Sequence, residues 1–378
     1  MTKQRRIAVC GAGAAGTAIA ADLALKGHDI RLYELPDFQR GIEGIQQKGG
    51  IELTPDSLST SGKTGFARLA VSTTDAAEAV QGADVIMITV PALHHAAFFD
   101  AVLPFLEPGQ FVLFNTGYWG TLRFANRLKQ EGLFEDVTLC ETNIMPYLSK
   151  RMDDVRTKIF NSKRVMTLAA FPGDRTDEAL EVLGSAYSEY KAVPNVLWTN
   201  ISSGGNWCVH VQLTLPIMGY VFDRFRGCKF YTEATEQFSR LSAVFDDERA
   251  PLAERLSCSP IETGIQWAKN AYGYEGKDLA DAFRKSPHSD RYSPLGGLDR
   301  VLDEDLGYSF VPMVRLANQL GHSMPLTRGM IEVTGAMLNK DYWGMGLTMD
   351  DLGIGGMDAE VLTRFAQTGA PEFRRAGA

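Results

Sequence analysis

The chain has 378 residues, 45% hydrophobic and 22% charged, more than a single domain usually holds, so two domains are expected. Its net charge of −8, with no basic run longer than Arg374-Arg375, argues against nucleic acid and anionic membranes as partners. Five dispersed cysteines (Cys10, Cys140, Cys208, Cys228, Cys258) show no CxxC or Cys/His spacing, so no metal site is expected and a reducing cytoplasm fits better than a disulfide framework.

MTKQRR runs straight into a strand, leaving no expected room for a signal peptide. Ile7 to Cys10 is a short apolar run, read as a buried parallel strand. Gly11-Ala12-Gly13-Ala14-Ala15-Gly16 follows at once, and helical patterning runs from Ala14 to about Lys26, where Gly27 stops it. Asp29 to Glu34 reads as the next strand. In such a strand–turn–helix, Gly11 makes the tight turn, Gly13 lets backbone approach a pyrophosphate, and Gly16 lets helix pack on strand. The helix N-terminus offers free N–H groups and a positive dipole end to phosphates. With an acid about 20 residues further on, the GxGxxG string predicts dinucleotide binding.

The alternation continues through a strand at Leu69–Ser72, a helix at Thr74–Val80 and a strand at Ala83–Val90 closed by Pro91. A helix to about Leu106 follows, then strand Phe111–Phe114, a helix near Leu122–Gln130 and strand Val137–Cys140. Strands at Val155–Ile159 and Val165–Phe171 precede a helix from Asp174 to about Tyr190. From Ala192 helical periodicity dominates, around 206–223, 228–257, 276–285, 305–321 and 325–338. The expected fold is α/β: a Rossmann-type doubly wound sheet over residues 1–190, then an all-helical substrate and dimerisation domain over 191–370. The last residues, PEFRRAGA, read as a frayed tail. Ala192–Phe222 carries no charge for 31 residues, but its Pro, Asn, Gln and His content excludes a lipid-facing helix, and the run is expected to be buried in a soluble protein.

Ligands in open α/β sheets bind at the carboxyl ends of strands, which places Val90, Pro91, Thr116 and Glu141 at the cofactor and the substrate between the domains. Glu34, ending the second strand, suits both ribose hydroxyls of NAD and would repel a 2′-phosphate. Arg31 and Arg40 lie nearby, leaving NADP open. No later Gly-Asp element of the kind flavoenzymes carry is present.

His210 stands apart inside the charge-free run, and reads either as an acid/base or as a core histidine satisfied by backbone. Downstream, Arg300-Val-Leu-Asp-Glu-Asp305 offers a carboxylate that could fix the tautomer of His210 and an arginine fork for a substrate carboxylate. The same run also reads as an acid-rich helix N-terminus with Asp305 as its cap. His94 and His95 are expected to cap and pack a helix rather than act. Tyr147 is an unassigned cleft residue.

The chain resembles the opine dehydrogenase family, of the octopine/nopaline dehydrogenase type. The likeness rests on Gly11–Gly16, Val90-Pro-Ala-Leu-His-His-Ala96, Gly109–Asn115, Glu141-Thr142, Asn195-Val-Leu197 leading to His210, Arg300…Asp305 with Val311-Pro312, Pro325-Leu326 and Leu352-Gly353. It covers nearly the whole length. The resemblance implies that His210 and Asp305 form the acid/base dyad and that Arg300 lies beside the substrate. It further implies NAD(P)H-dependent condensation of an amino acid with a 2-oxo acid such as pyruvate, followed by reduction, in a homodimer. The chain departs from the family pattern after the histidine, where Val211, Gln212 and Leu213 stand in place of proline and a nearby asparagine. A simple 2-oxo acid or imine reductase, and a non-catalytic NAD(P)-binding sensor, are the competing readings. The charge-poor approach to His210, with Trp198, Trp207, Met218 and Tyr220, leans toward an apolar or aromatic amine, although residues of these types are more often simply core.

Overall fold

The structure is a computed structural model that describes residues 3–219, 229–290 and 297–370. Tyr220, Cys228 and the last eight residues therefore lie outside the described residues. The chain divides into two compact units, Met1–Val196 and Leu197–Ala378.

The first unit is built on an eight-stranded sheet. Its strands are β1 (Arg6–Cys10), β2 (Asp29–Tyr33), β5 (Val71–Thr73), β6 (Val85–Ile88), β7 (Phe111–Phe114), β8 (Thr138–Thr142), β11 (Met166–Phe171) and β12 (Tyr190–Ala192). They lie in the order β12-β11-β8-β7-β6-β1-β2-β5. Every neighbouring pair runs parallel except β8–β11, which is antiparallel. The central strands β1, β6 and β7 bury nearly every residue, as parallel strands covered on both faces must. The helix expected to reach Tyr190 ends at Leu183. Tyr187 and Tyr190 instead turn inward, their rings 5.4 Å apart, and β12 adds to the sheet beside β11.

A second sheet of four strands was not expected: β3 (Gly50–Leu53), β4 (Gly65–Arg68), β9 (Tyr147–Arg151) and β10 (Arg156–Ser162), in the order β4-β3-β10-β9. It packs on α1 (Ala14–Lys26). That explains why α1 is apolar nearly all round: residues 16 to 23 are all buried because both faces of the helix are covered. Its polar positions are matched by the second sheet and the loop feeding it. Thr157 donates its hydroxyl to that of Thr17 at 2.8 Å, and Asp22 accepts from Thr60 Oγ1 at 2.6 Å, from the Ser61 amide at 3.1 Å and from Tyr147 Oη. Unpartnered, a carboxylate buried this completely would be costly.

In the second unit no described residue lies in a strand. The helix expected over 206–223 is short, His210–Thr214, followed by a 3₁₀ turn at Leu215–Ile217 that contains Pro216. Glu236–Arg255, Gly297–Asp305, Val311–Gln319, Pro325–Leu338 and Ala359–Thr368 are the longer helices. The charge-free run is held down by one buried cation. Arg249 is fully buried, donates to the carbonyls of Ile201 and Ser203 at 2.5 and 3.3 Å, and pairs with Asp246 at 2.9 Å.

Candidate active site

In the first unit, the glycine-rich turn is shaped by contacts that exclude a side chain. Gly11 has φ +105°, and a Cβ there would lie 2.4 Å from Val90 Cγ1, which places Val90 directly against the turn. At Gly16 a Cβ would lie 1.7 Å from the Gly11 carbonyl oxygen, so helix and strand meet backbone to backbone. Gly13 is exposed with nothing within 4 Å of a built Cβ. It starts α1 without a side-chain cap, and no acid sits in the first turn. These open N–H groups and the unobstructed glycine fit a dinucleotide pyrophosphate. Ala12 is buried; Ala14 and Ala15 are half-buried in the first helical turn.

Glu34 stands beside this turn. Its Oε2 accepts the Ala12 amide at 2.8 Å and its Oε1 the Leu35 amide at 2.9 Å. Burial pushes its pKa above the ordinary carboxylate value, against those two amides and the charge of Arg151. A cavity of about 800 Å³ opens here, lined by Ala12, Gly13, Glu34, Phe38, Arg40 and Arg151 among others. Arg31 is not among them. Its Nη1 donates to the carbonyls of Glu78 and Gln81 at 3.0 and 2.7 Å, tying down the end of the helix at Ala76–Val80. Sequence reasoning missed Arg151, which comes from β9. Its guanidinium donates to the carbonyls of Ala12 (3.0 Å), Asp153 (3.0 Å) and Asp154 (2.8 Å).

The other expected cofactor residues lie at the carboxyl ends of β6, β7 and β8. Pro91 is half-buried after β6, and Thr116 is buried after β7. Glu141 is fully buried on β8, and its Oε2 accepts both the amide and the hydroxyl of Thr121 at 3.3 and 2.9 Å. That carboxylate anchors the first turn of the helix Gly120–Gln130. His95 packs, with its Nε2 3.2 Å from the Val90 carbonyl and its ring against Phe114; burial lowers its pKa to about 3. His94 is exposed at the N-cap position of the next helix. Tyr147 is a buried partner of Asp22, not a cleft residue.

In the second unit His210 and Asp305 come together across 95 residues of sequence, with Nδ1 2.9 Å from Oδ2. His210 is the first residue of its helix, 14% exposed in its side chain, and Asp305 is 1% exposed. An ionised carboxylate only accepts, so Nδ1 carries the proton and Nε2 presents a lone pair in the neutral ring. Asp305 is not a helix N-cap: it ends Gly297–Asp305, and a π turn at Leu306–Phe310 follows directly. The acid-rich run thus belongs to the end of that helix, where the winding changes and Asp305 is directed inward.

Arg300 is on the same helix, but five residues away, about 140° around the axis. It is 51% exposed and 3.9 Å from Glu304. Trp207 and Met218 are core residues, 1% and 2% exposed. Cys208 is equally buried, and burial pushes its thiol up to about 12. Tyr231, unsignalled by any spacing, brings its hydroxyl to 3.3 Å from His210 Nε2. Among the described residues no group of His, Cys, Asp and Glu could hold a metal ion, and no helix is long and apolar enough to cross a membrane.

Residues 192–338 match the family described as NAD/NADP octopine/nopaline dehydrogenase, alpha-helical domain, and residues 7–116 match that of ketopantoate reductase PanE/ApbA. An opine dehydrogenase from Arthrobacter sp. (strain 1C) is 29% identical over 362 residues, covering 95% of this chain and 98% of that one. The chain is similar to the opine dehydrogenases over nearly its whole length. Its fold is that of solved opine dehydrogenases. The structure of an octopine dehydrogenase in complex with NADH and agmatine aligns with TM-score 0.75 at 16% identity, over 98% of this chain and 99% of that one. An apo yersinopine dehydrogenase aligns with TM-score 0.67 at 16% identity, over 96% and 98% of the two chains.

Proposed function

We propose that the protein is an NAD(P)H-dependent opine dehydrogenase that condenses an amino acid with a 2-oxo acid and reduces the product to an N-(carboxyalkyl)amino acid, and catalyses the reverse oxidation. The observation that carries this reading is the His210–Asp305 pair, closed at 2.9 Å in a chain similar to opine dehydrogenases over nearly its whole length. Relatives support the substrate classes: solved octopine dehydrogenases are complexes with NADH and L-arginine or pyruvate.

The chemistry follows from the tautomer. Neutral His210 offers Nε2 as a base to the ammonium or amine that attacks the oxo carbon. The nitrogen of the adduct gives a second proton to the alkoxide, making the carbinolamine hydroxyl; the imidazolium returns the first proton to that hydroxyl, and water leaves as the carbon–nitrogen double bond forms. Asp305 accepts from Nδ1–H throughout and stabilises the charged ring. A positioned acid/base contributes roughly 10²–10⁴-fold. NAD(P)H, when bound, supplies the hydride that reduces the imine. Ala12, Gly13 and the first turn of α1 would hold its pyrophosphate, and Glu34 its adenosine ribose. Arg300 would hold a substrate carboxylate with its planar fork.

The cofactor preference is part of the same proposal. Glu34 favours NAD, while Arg40, in the lining of the same cavity, leaves room for NADP. We also place the protein in the cytoplasm as a homodimer. Leu326, Val333 and Met337 form one exposed apolar face of the helix Pro325–Leu338, a suitable seat for a second copy; a monomer by light scattering would overturn that assembly.

The deciding assay is oxidation of NADH and NADPH with pyruvate, with and without a panel of amino acids. Oxidation that needs both substrates establishes opine synthesis. The ketopantoate reductase likeness over 7–116 gives the second reading, a simple oxo-acid reductase, which predicts oxidation with the oxo acid alone.

A further inference from the structure

Each ring nitrogen of His210 has a partner. Nδ1 faces Asp305 Oδ2 at 2.9 Å, and Nε2 faces the Tyr231 hydroxyl at 3.3 Å. The two sides differ in what they demand. Nδ1–H donates in both protonation states, and a carboxylate satisfies it in both. Nε2 reverses: it is a lone pair in the neutral ring and an N–H in the imidazolium. A carboxylate there would suit only the charged form and an ammonium only the neutral one, whereas a hydroxyl donates to the first and accepts from the second.

We propose that Tyr231 is a positioning residue for the acid–base step, holding His210 Nε2 in one place while the ring changes from base to acid. The proposal rests on the condensation reading, which needs both states in one turnover. The phenol keeps its own proton and the direction of the hydrogen bond reverses; Nε2 has one in-plane site, so Tyr231 occupies it before and after each proton transfer and yields it to substrate during the transfer. The pair thereby becomes a three-residue unit, Asp305–His210–Tyr231, with the imidazole tethered at both nitrogens.

The surroundings of Tyr231 fix it for this task. Its side chain is buried, and its ring stacks on Phe283 at 5.2 Å with an interplanar angle of 17°. Phe230 and His288 meet it edge-on at 5.1 and 4.8 Å. His288 is itself held, its Nδ1 2.6 Å from Tyr274 Oη. With the ring packed this way, little side-chain entropy remains to be lost when the hydroxyl engages. At 3.3 Å the contact is long for an O–H donor, as hydrogen bonds of a catalytic group often are before substrate binds.

The test is Tyr231→Phe, which keeps the ring and removes the hydroxyl. In protein labelled with nitrogen-15 histidine, the Nε2 resonance of His210, assigned by its loss in His210→Gln, shifts in Tyr231→Phe while Nδ1 stays. Turnover falls about tenfold, the worth of one hydrogen bond, NADH affinity is unchanged, and the loss disappears in a His210→Gln background. An unmoved Nε2 resonance, or a loss that adds in full to that of His210→Gln, overturns the proposal. If the Nε2 resonance shifts in Tyr231→Phe but the wild type shows no amine-dependent turnover, the condensation reading falls and the Tyr231 contact stands.

Discussion

The glycine turn of the first unit and the His210 region of the second hold their working groups by different means. In the turn the contacts are made to bare backbone: Gly16 stands against the Gly11 carbonyl, and the Val90 side chain against Gly11 itself. Around His210 the work is done by side chains from distant parts of the chain, Asp305 on one nitrogen and Tyr231 on the other. The first arrangement is local, so damage to it should appear as lost cofactor binding and lost stability together. The second is assembled from three segments, and removing one group there should cost turnover while cofactor binding stays.

The largest effect expected is therefore from His210→Gln, which should lower turnover roughly 10²–10⁴-fold with an unchanged NADH dissociation constant by fluorescence titration. Near wild-type turnover would remove His210 from the chemistry. A loss of NADH binding in the same variant would break the contrast between the two regions. Gly16→Ala is the opposite probe. Its Cβ would overlap the Gly11 carbonyl, a backbone atom that cannot step aside cheaply, so a cost of about 1–3 kcal/mol in thermal or urea unfolding is expected. NADH should bind about tenfold more weakly, on the scale of 1.4 kcal/mol. An unchanged midpoint and affinity would show that the turn is looser than its contacts imply.

The same contrast explains what could be read from the sequence. The strand, turn and helix over residues 6–26 were legible because the requirements sit in adjacent residues: a positive φ, an open approach and a close crossing each name glycine. The sheet β4-β3-β10-β9 was not, since its strands are short and one face is wet. Of its strands only β10 was anticipated, as Val155–Ile159; β4 buries only Ala67 and β9 only Tyr147. So weak a pattern over a few residues is easily lost against noise. With that sheet hidden, Arg151 could not be placed at the cofactor cavity, nor Tyr147 at Asp22. Asp305 was ambiguous from spacing alone and became a candidate through family resemblance. Tyr231 carried no signal, because nothing in the sequence ties residue 231 to 210 and the aromatic packing that aims it is a tertiary fact.

Arg151 and Arg40 sharpen the comparison inside the first unit. Arg151 is bound to three carbonyls, one of them Ala12 in the glycine turn. Arg151→Met should therefore weaken NADH and NADPH alike, by roughly tenfold, as expected for losing one charged hydrogen bond at the low end of its range. Arg40 is exposed at the edge of the cavity. Arg40→Met should weaken NADPH alone, by about fivefold, the worth of an exposed ion pair. Equal losses for both cofactors in Arg40→Met would take the 2′-phosphate away from this arginine.

The smallest effect is the most specific, and it concerns pH. Burial raises the pKa of Glu34 above the ordinary carboxylate value, so it begins to take up a proton at a pH where an exposed glutamate is still ionised. As pH falls through that range the negative charge beside the ribose is lost, and with it the repulsion of a 2′-phosphate. The ratio of NADPH to NADH affinity should then rise with acidification. The phosphate also titrates near neutrality, which could move the ratio without Glu34. In Glu34→Gln the carboxylate is absent, so whatever slope remains belongs to the phosphate and the difference between the two slopes to Glu34. Identical slopes in wild type and variant would mean that Glu34 does not face the ribose, and that its two amide contacts, to Ala12 and Leu35, are its whole function.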